Sequence, residues 1–146
     1  MKPRHFWIVS AYSLIGGVLF SSIAEAFLEG RIAILGSIAG LQLSHNPGIA
    51  FGINLPAEIQ DILIITALMI VCIYAMRTAK TKISQLGFGL IVGGGLANII
   101  DRLPDGLVTD YIQIVNFPIF NVPDSFITVG VGILLYEMLT EGKIKD

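Results

Sequence analysis

The sequence predicts an all-α integral membrane protein with four transmembrane helices, and three observations support that prediction. The chain is 54% hydrophobic and only 14% charged, with a mean hydropathy of +0.80, which is far from the usual composition of a soluble domain. It contains four long stretches with few or no charges, and its basic residues cluster in three segments between or beside them. Lipid is therefore the expected solvent of this chain.

Each of the four stretches is long enough to cross the hydrocarbon layer, which takes about 20 predominantly apolar residues. The last stretch contains Glu137, which a helix can carry near its end by extending the carboxylate toward the interface. The predicted spans are residues 6–24, 56–76, 83–102 and 123–140. We treat residues 1–146 as a single membrane-embedded domain.

The segment between the first two spans is also poor in charge, but we do not expect it to cross the membrane. Pro, Gly, Asn and His occur together at His45 to Gly48, and only about a dozen apolar residues precede them, which is too short for a span. Residues 31–43 and 49–55 are instead predicted to form short strands at the membrane surface, with a turn between them.

The placement of Lys and Arg supports the same count, because these residues gather at the cytoplasmic ends of membrane helices. Seven of the nine lie before the first span, between the second and third, or after the fourth. Four spans place these segments and both termini inside. A cleavable secretory signal ending near Ala24-Glu25-Ala26 is the alternative for the N-terminus, but its removal would leave three spans and lose this matched topology.

Several kinds of site are disfavoured by the sequence. Cys72 is the only cysteine, so a disulfide framework is excluded, and His5 and His45 lack the spacing of a zinc site. The triplet Gly93-Gly94-Gly95 lies inside an apolar helix without the strand and Lys-Ser/Thr of a phosphate loop. Glycines in that setting indicate close helix packing instead.

Polar and ionisable side chains concentrate near the outer ends of the last two spans. Asn98, Asp101 and Arg102 are spaced by three and four residues, which places them on one face of a helix end. Asp110 lies in GLVTDYIQI, whose β-branched and aromatic residues predict a short strand. Asp124 lies in FNVPDS, at the predicted start of the fourth helix. Because such groups are costly near lipid, their concentration indicates function.

Asp110 and Asp124 together suggest catalysis. Asp124 alone could be a first-turn carboxylate stabilised by the helix dipole, and Asp101 with Arg102 could anchor a helix end. Neither explanation covers Asp110, a carboxylate in a mostly apolar segment without an evident basic partner. Two carboxylates held close share a proton, and such a pair activates water in aspartyl peptidases. Because the dipole favours ionised Asp124, we expect it to be the initial base and Asp110 to hold the proton.

Four sequence blocks carry a resemblance to a known family. NPGIAFG at 46–52, GGGLANIIDR at 93–102, GLVTDYI at 106–112 and FNVPDS at 120–125 resemble, in order and spacing, the signature blocks of lipoprotein signal peptidase, or signal peptidase II. The resemblance implies an aspartic endopeptidase of the bacterial cytoplasmic membrane that removes the signal peptide of a diacylglyceryl-modified prolipoprotein. It also implies a small extracytoplasmic β cradle and a short surface helix within residues 32–55.

The resemblance implies roles for particular residues as well. Asp110 and Asp124 match the catalytic pair. The supporting polar positions around the site match Asn46, Gly48, Asn98, Asp101, Arg102 and Asn121. We expect no cofactor, metal or nucleic-acid partner, and a monomer that contacts membrane lipid and lipid-modified prolipoproteins.

One segment departs from the family pattern. Members commonly carry an acidic-Gln-x-x-Lys pattern at the outer end of the first helix, whereas this chain has Ser21-Ser22-Ile23-Ala24-Glu25. Contacts to substrate or lipid made there in other members would be absent. The alternatives are a catalytically silent lipoprotein-binding relative, which this departure favours, and a small membrane transport subunit. The aspartates disfavour transport, since a pathway needs ionisable groups near mid-membrane.

Overall fold

The structure is a computed structural model that describes residues 3–47 and 57–141. These parts of the chain form four helices and three strands. In chain order they are α1 (Arg4–Phe27), β1 (Ile32–Leu35), β2 (Ala39–Asn46), α2 (Ala57–Thr78), α3 (Lys82–Arg102), β3 (Val108–Ile114) and α4 (Val122–Glu141).

All four helices are long and apolar enough to cross a membrane. Their bounds lie within a few residues of the four spans that the sequence predicts, and the helical membrane fold is confirmed. Because the helices alternate in direction, the N-terminus of α1, the α2–α3 turn and the C-terminus of α4 lie at one end of the bundle. The strands and the polar segments lie at the other end.

Helix α3 lies between α1 and α4, and its glycines allow the close approach. A Cβ atom on Gly93 would stand 2.4 Å from the carbonyl oxygen of Ser10 in α1, and one on Gly94 would stand 2.6 Å from that of Pro123 in α4. No side chain larger than hydrogen fits without a shift of the neighbouring backbone. The prediction that these glycines serve helix packing is confirmed.

Side-chain hydrogen bonds join α1, α3 and α4 at the end of the bundle opposite the strands. Gln85, which is fully buried, accepts from the N–H groups of His5 and Phe6 at 3.1 and 3.4 Å and thereby caps α1. Thr81 caps α3 and donates its hydroxyl hydrogen to the Glu137 carboxylate of α4. Glu137 therefore has a hydrogen-bonding partner in the α2–α3 turn, at the end of the bundle toward which its carboxylate was expected to extend.

The three strands form one antiparallel sheet in the order β1-β2-β3. The predicted strand over residues 31–43 is wrong in one respect, because the chain reverses after β1 at Gly36, whose φ of +51° favours glycine. Asn46 pairs with Val108 and Ser44 with Asp110. The predicted second strand at 49–55, the remainder of the surface-helix region and Gly48 lie outside the described residues.

Candidate active site

The two predicted catalytic aspartates lie on neighbouring elements at the strand end of the bundle. Asp110 is the third residue of β3, and Asp124 is the third residue of α4, in its first turn. Asp110 is only 2% exposed, whereas Asp124 is half-buried. The strand and the helical first turn predicted for these positions are both present.

Asn121 fixes the position of Asp124 by capping α4. The Oδ1 atom of Asn121 accepts from the Asp124 N–H at 2.8 Å. In return, Oδ2 of Asp124 accepts from the Asn121 N–H at 3.4 Å. This reciprocal arrangement is a capping box, which satisfies backbone donors that the first helical turn leaves free. The cap of α4 therefore determines where the Asp124 carboxylate lies.

Asparagine side chains connect the two aspartates. Asn121, fully buried, donates from Nδ2 to Oδ1 of Asp110 at 3.0 Å and to Oδ1 of Asn98 at 3.1 Å. Asn98 donates to Oδ1 of Asp124 at 2.8 Å. On the far side, Asn46 of β2 donates to Oδ2 of Asp110 at 2.9 Å. Amides from β2, α3 and the start of α4 thus join the two carboxylates in one network.

Burial raises the pKa of Asp110 to about 6. Desolvation is the largest cause, and the negative charges of Asp124 and Asp101 act in the same direction. The hydrogen bonds from Asn46 and Asn121 act in the opposite direction, because they stabilise the ionised form. This direction is the one expected if Asp110 carries the shared proton.

Asp101 and Arg102 contact different elements. Asp101 accepts from the N–H of Thr109 at 2.6 Å and from its hydroxyl at 3.2 Å, which ties the start of β3 to α3. Arg102, 9% exposed, places Nε 3.8 Å from the carboxylate of Asp61 in α2 and lines a cavity of about 200 Å³ there. Of the three residues expected on one helix face, Asn98 and Asp101 contact the segments that carry the aspartates, whereas Arg102 contacts α2.

An apolar groove of about 720 Å³ opens beside Asp124. The first turns of α4 form one wall and the loop after β3 forms the other. A volume of this size can hold a ligand of several hundred daltons. The lining residues include Ser125, Thr128, Val129, Val115, Phe117 and Phe120. The groove can therefore hold an apolar molecule against the carboxylate.

Two contacts beside the site escaped the sequence analysis. The Tyr111 hydroxyl accepts from the Val122 N–H at 3.2 Å, and strand alternation in TDYI could have indicated that Tyr111 faces away from Asp110. Glu25 at the end of α1 pairs with His45 of β2, with Oε2 and Nε2 3.0 Å apart. No local pattern links these two residues, because they are 20 positions apart on different elements.

The arrangement is suited to proton transfer. A buried carboxyl with a raised pKa stands in one hydrogen-bonded network with a half-buried carboxylate, beside an apolar groove. The first can donate a proton and the second can accept one from water. Within residues 3–47 and 57–141, no group of three or more His, Cys, Asp or Glu side chains is arranged to hold a metal ion.

Comparison with known proteins places these features in a family context. The family described as Signal peptidase (SPase) II matches residues 6–140. The lipoprotein signal peptidase of Caldicellulosiruptor bescii is 33% identical over 139 residues, which cover 94% of this chain and 92% of the relative. That of Halalkalibacterium halodurans is 40% identical over 117 residues, which cover 75% and 74% of the two chains.

Solved structures show the same fold. Two bacterial membrane enzymes superpose with TM-scores of 0.82 and 0.81, each at 24% sequence identity. The first superposition covers 95% of this chain and 90% of the other, and the second covers 90% of each. The likeness extends over the four helices together with the small sheet.

Proposed function

This chain belongs to the signal peptidase II family, and from that premise we propose that it removes signal peptides from diacylglyceryl-modified prolipoproteins with Asp110 and Asp124 as its catalytic pair. It is a hydrolase and a multi-pass bacterial membrane protein. The observation that supports the catalytic pair is the network in which Asn121 and Asn98 connect Asp110 to Asp124 beside an apolar groove. Asn46, Gly48, Asp101 and Arg102 complete the proposed supporting set.

The two carboxyl groups take complementary roles in the proposed reaction. Asp124 accepts a proton from water while the water oxygen attacks the scissile carbonyl carbon, and Asp110 gives its proton to the carbonyl oxygen. The resulting gem-diol collapses, the C–N bond breaks, and Asp124 passes its proton to the leaving nitrogen. Asp110 regains a proton from the diol hydroxyl that becomes the new carboxyl group. Both residues thus return to their starting states.

The groove beside Asp124 supports access from the lipid phase. Its walls are the first turns of α4, a membrane-spanning helix, and the loop that carries Phe117 and Phe120. A substrate that is itself a lipid-bearing helix can move within the bilayer and present its scissile bond from the side. We propose that the groove holds the apolar part of the substrate next to the cleaved bond.

The proposed orientation places both termini in the cytoplasm and the aspartates toward the outer face. Seven of nine Lys and Arg residues lie in the terminal segments and the α2–α3 turn, which is the distribution that cytoplasmic ends carry. The strands and both aspartates belong to the opposite end of the bundle. The site would then face the side on which signal peptides emerge.

Replacing either aspartate with asparagine tests the catalytic pair. We expect purified Asp110→Asn and Asp124→Asn to lose at least about a hundredfold of the cleavage rate for a diacylglyceryl-modified prolipoprotein, because each removes one proton-transfer group. Because asparagine has nearly the size and shape of aspartate, we expect both variants to fold, and thermal unfolding in detergent checks this.

Asp105→Asn is the matched control for both variants. Asp105 lies in the exposed loop between α3 and β3, where its carboxylate accepts from the Leu107 N–H at 2.9 Å. Wild-type activity is expected, since the residue contacts neither aspartate. Full activity of either dyad variant would contradict the proposed pair, and an inactive wild-type protein would favour the catalytically silent relative.

A further inference from the structure

Tyr111 connects the elements that carry the two aspartates. It is 5% exposed and lies on the side of β3 opposite Asp110, because successive strand residues alternate. Its hydroxyl accepts from the Val122 N–H at 3.2 Å, and its own N–H donates to the Phe120 carbonyl at 3.0 Å. Tyr111 therefore holds β3, the strand that contains Asp110, against the residues immediately before and after Asn121, the N-cap of α4.

The Val122 contact completes the cap of α4. The first N–H groups of a helix have no partner within the helix. Asn121 satisfies the N–H of Asp124, and Pro123 has none to satisfy. The N–H of Val122 is left, and the Tyr111 hydroxyl accepts it. Without that hydroxyl, the first turn of α4 would lose a hydrogen bond at Val122, two residues before Asp124.

Helix α1 packs against β3, and its Ser21 side chain lies near the same hydroxyl. Its side chain is 2% exposed, and within the described residues its Oγ makes no hydrogen bond of standard geometry. Burial raises the pKa of Tyr111, whereas the Val122 N–H and, to a smaller extent, the nearby Ser21 hydroxyl act in the opposite direction. The phenol thus keeps its proton and can present it to Ser21 while accepting from Val122. Ser21 occupies the first position of the segment that departs from the family pattern.

We propose that the Tyr111 hydroxyl is a positioning group for catalysis, which sets the first turn of α4, and hence Asp124, relative to Asp110, while Ser21 orients it from α1. The inference rests on the proposed function, because it requires Asp110 and Asp124 to be the catalytic pair. The hydroxyl acts through the backbone of α4 and is turned away from Asp110. Its loss should therefore lower kcat and leave KM nearly unchanged.

Tyr111→Phe tests the proposal because it removes one oxygen and keeps the ring. We expect kcat to fall about tenfold, the effect of about 1.4 kcal/mol, with KM changed by less than about twofold. The negative charge of Asp124 raises the pKa of Asp110. When the start of α4 is no longer held, the two carboxyl groups can move apart, and the pKa of Asp110 falls. The basic limb of the pH profile should then move to lower pH. Tyr12→Phe, on an exposed face of α1, is the matched control.

A second variant tests the contribution of α1. Ser21→Ala should lower kcat by about twofold to threefold and should add nothing in the Tyr111→Phe background, because both changes disrupt one contact. If Tyr111→Phe does not fold, the kcat of Ser21→Ala still tests the inference. An unchanged kcat, a change confined to KM, or a basic limb that does not move would overturn the inference. Asp124→Asn in the same assay separates the two proposals, since an active Asp124→Asn would overturn the catalytic pair itself.

Discussion

Neutral amides hold both carboxylates of the proposed pair. Asn46 and Asn121 donate to Asp110, and Asn98 donates to Asp124. The salt bridges found within residues 3–47 and 57–141 involve neither aspartate. A neutral amide stabilises an ionised carboxylate less than a cation does. These partners therefore leave the pair able to hold a proton, whereas an adjacent cation would favour the ionised form.

Two substitutions should shift the pH profile in opposite directions. The pKa of Asp110 is raised to about 6 by burial, and the Asn46 hydrogen bond lowers it while the Asp101 charge raises it. If the protonated form is active, Asn46→Ala should raise the pKa and move the basic limb of kcat/KM up by about one pH unit. Asp101→Asn should lower the pKa and move that limb down. Initial rates between pH 4 and 9 measure both.

The control for this pair is again Asp105→Asn, which changes a carboxylate of the same region without touching the network. Its basic limb should coincide with that of the wild type. Shifts of Asn46→Ala and Asp101→Asn in the same direction would show that Asp110 is not the group that titrates on the basic side.

Among the elements, α3 has the strictest packing requirement. Gly94→Ala would place a Cβ 2.6 Å from the carbonyl oxygen of Pro123, the residue before Asp124. The start of α4 must then move, so we expect a loss of about 1–3 kcal/mol in the free energy of unfolding and a kcat at least about tenfold lower. Thermal unfolding in detergent measures the loss of stability, and steady-state kinetics with the prolipoprotein substrate measure the fall in kcat.

Gly132→Ala in α4 is the matched control, because among residues 3–47 and 57–141 no heavy atom beyond its chain neighbours and its own helix backbone lies within 4 Å of the added Cβ. Alanine also has the higher helix propensity, so this variant should be as stable as the wild type or more so, with unchanged kcat. Equal losses of activity in both variants would contradict the account of α3 as the element that positions α4.

The elements differ in how far the sequence predicts them. Helix bounds follow from local hydropathy over about 20 residues, and the first-turn position of Asp124 follows from the Asn-Val-Pro-Asp segment. The contact between Asn98 and Asn121 joins residues 23 positions apart, and no local periodicity encodes such a distance. The turn at Gly36 was missed for a different reason, since the Asn46-Pro47-Gly48 signal nearby is the stronger one.

The two ends of the whole molecule are built for different purposes. At the end with the α2–α3 turn, Gln85 caps α1, and the Thr81–Glu137 hydrogen bond joins α3 to α4. At the other end, the same helices carry the asparagine network and the groove. Helix α2 packs mainly against α3, and apolar side chains of α4 such as Leu135 and Leu139 remain exposed.

The proposed orientation can be tested with single cysteines. Cys72 is the only cysteine, so Cys72→Ser provides a background for Gly30→Cys, in the exposed loop after α1, and Lys80→Cys, exposed between α2 and α3. A membrane-impermeant maleimide should label the first variant in intact cells and the second only after permeabilisation, because Lys80 belongs to a basic segment that stays inside. Each variant must also cleave prolipoprotein, which shows that it is folded. Labelling of Lys80→Cys in intact cells would reverse the orientation and place the aspartates on the side from which signal peptides do not emerge.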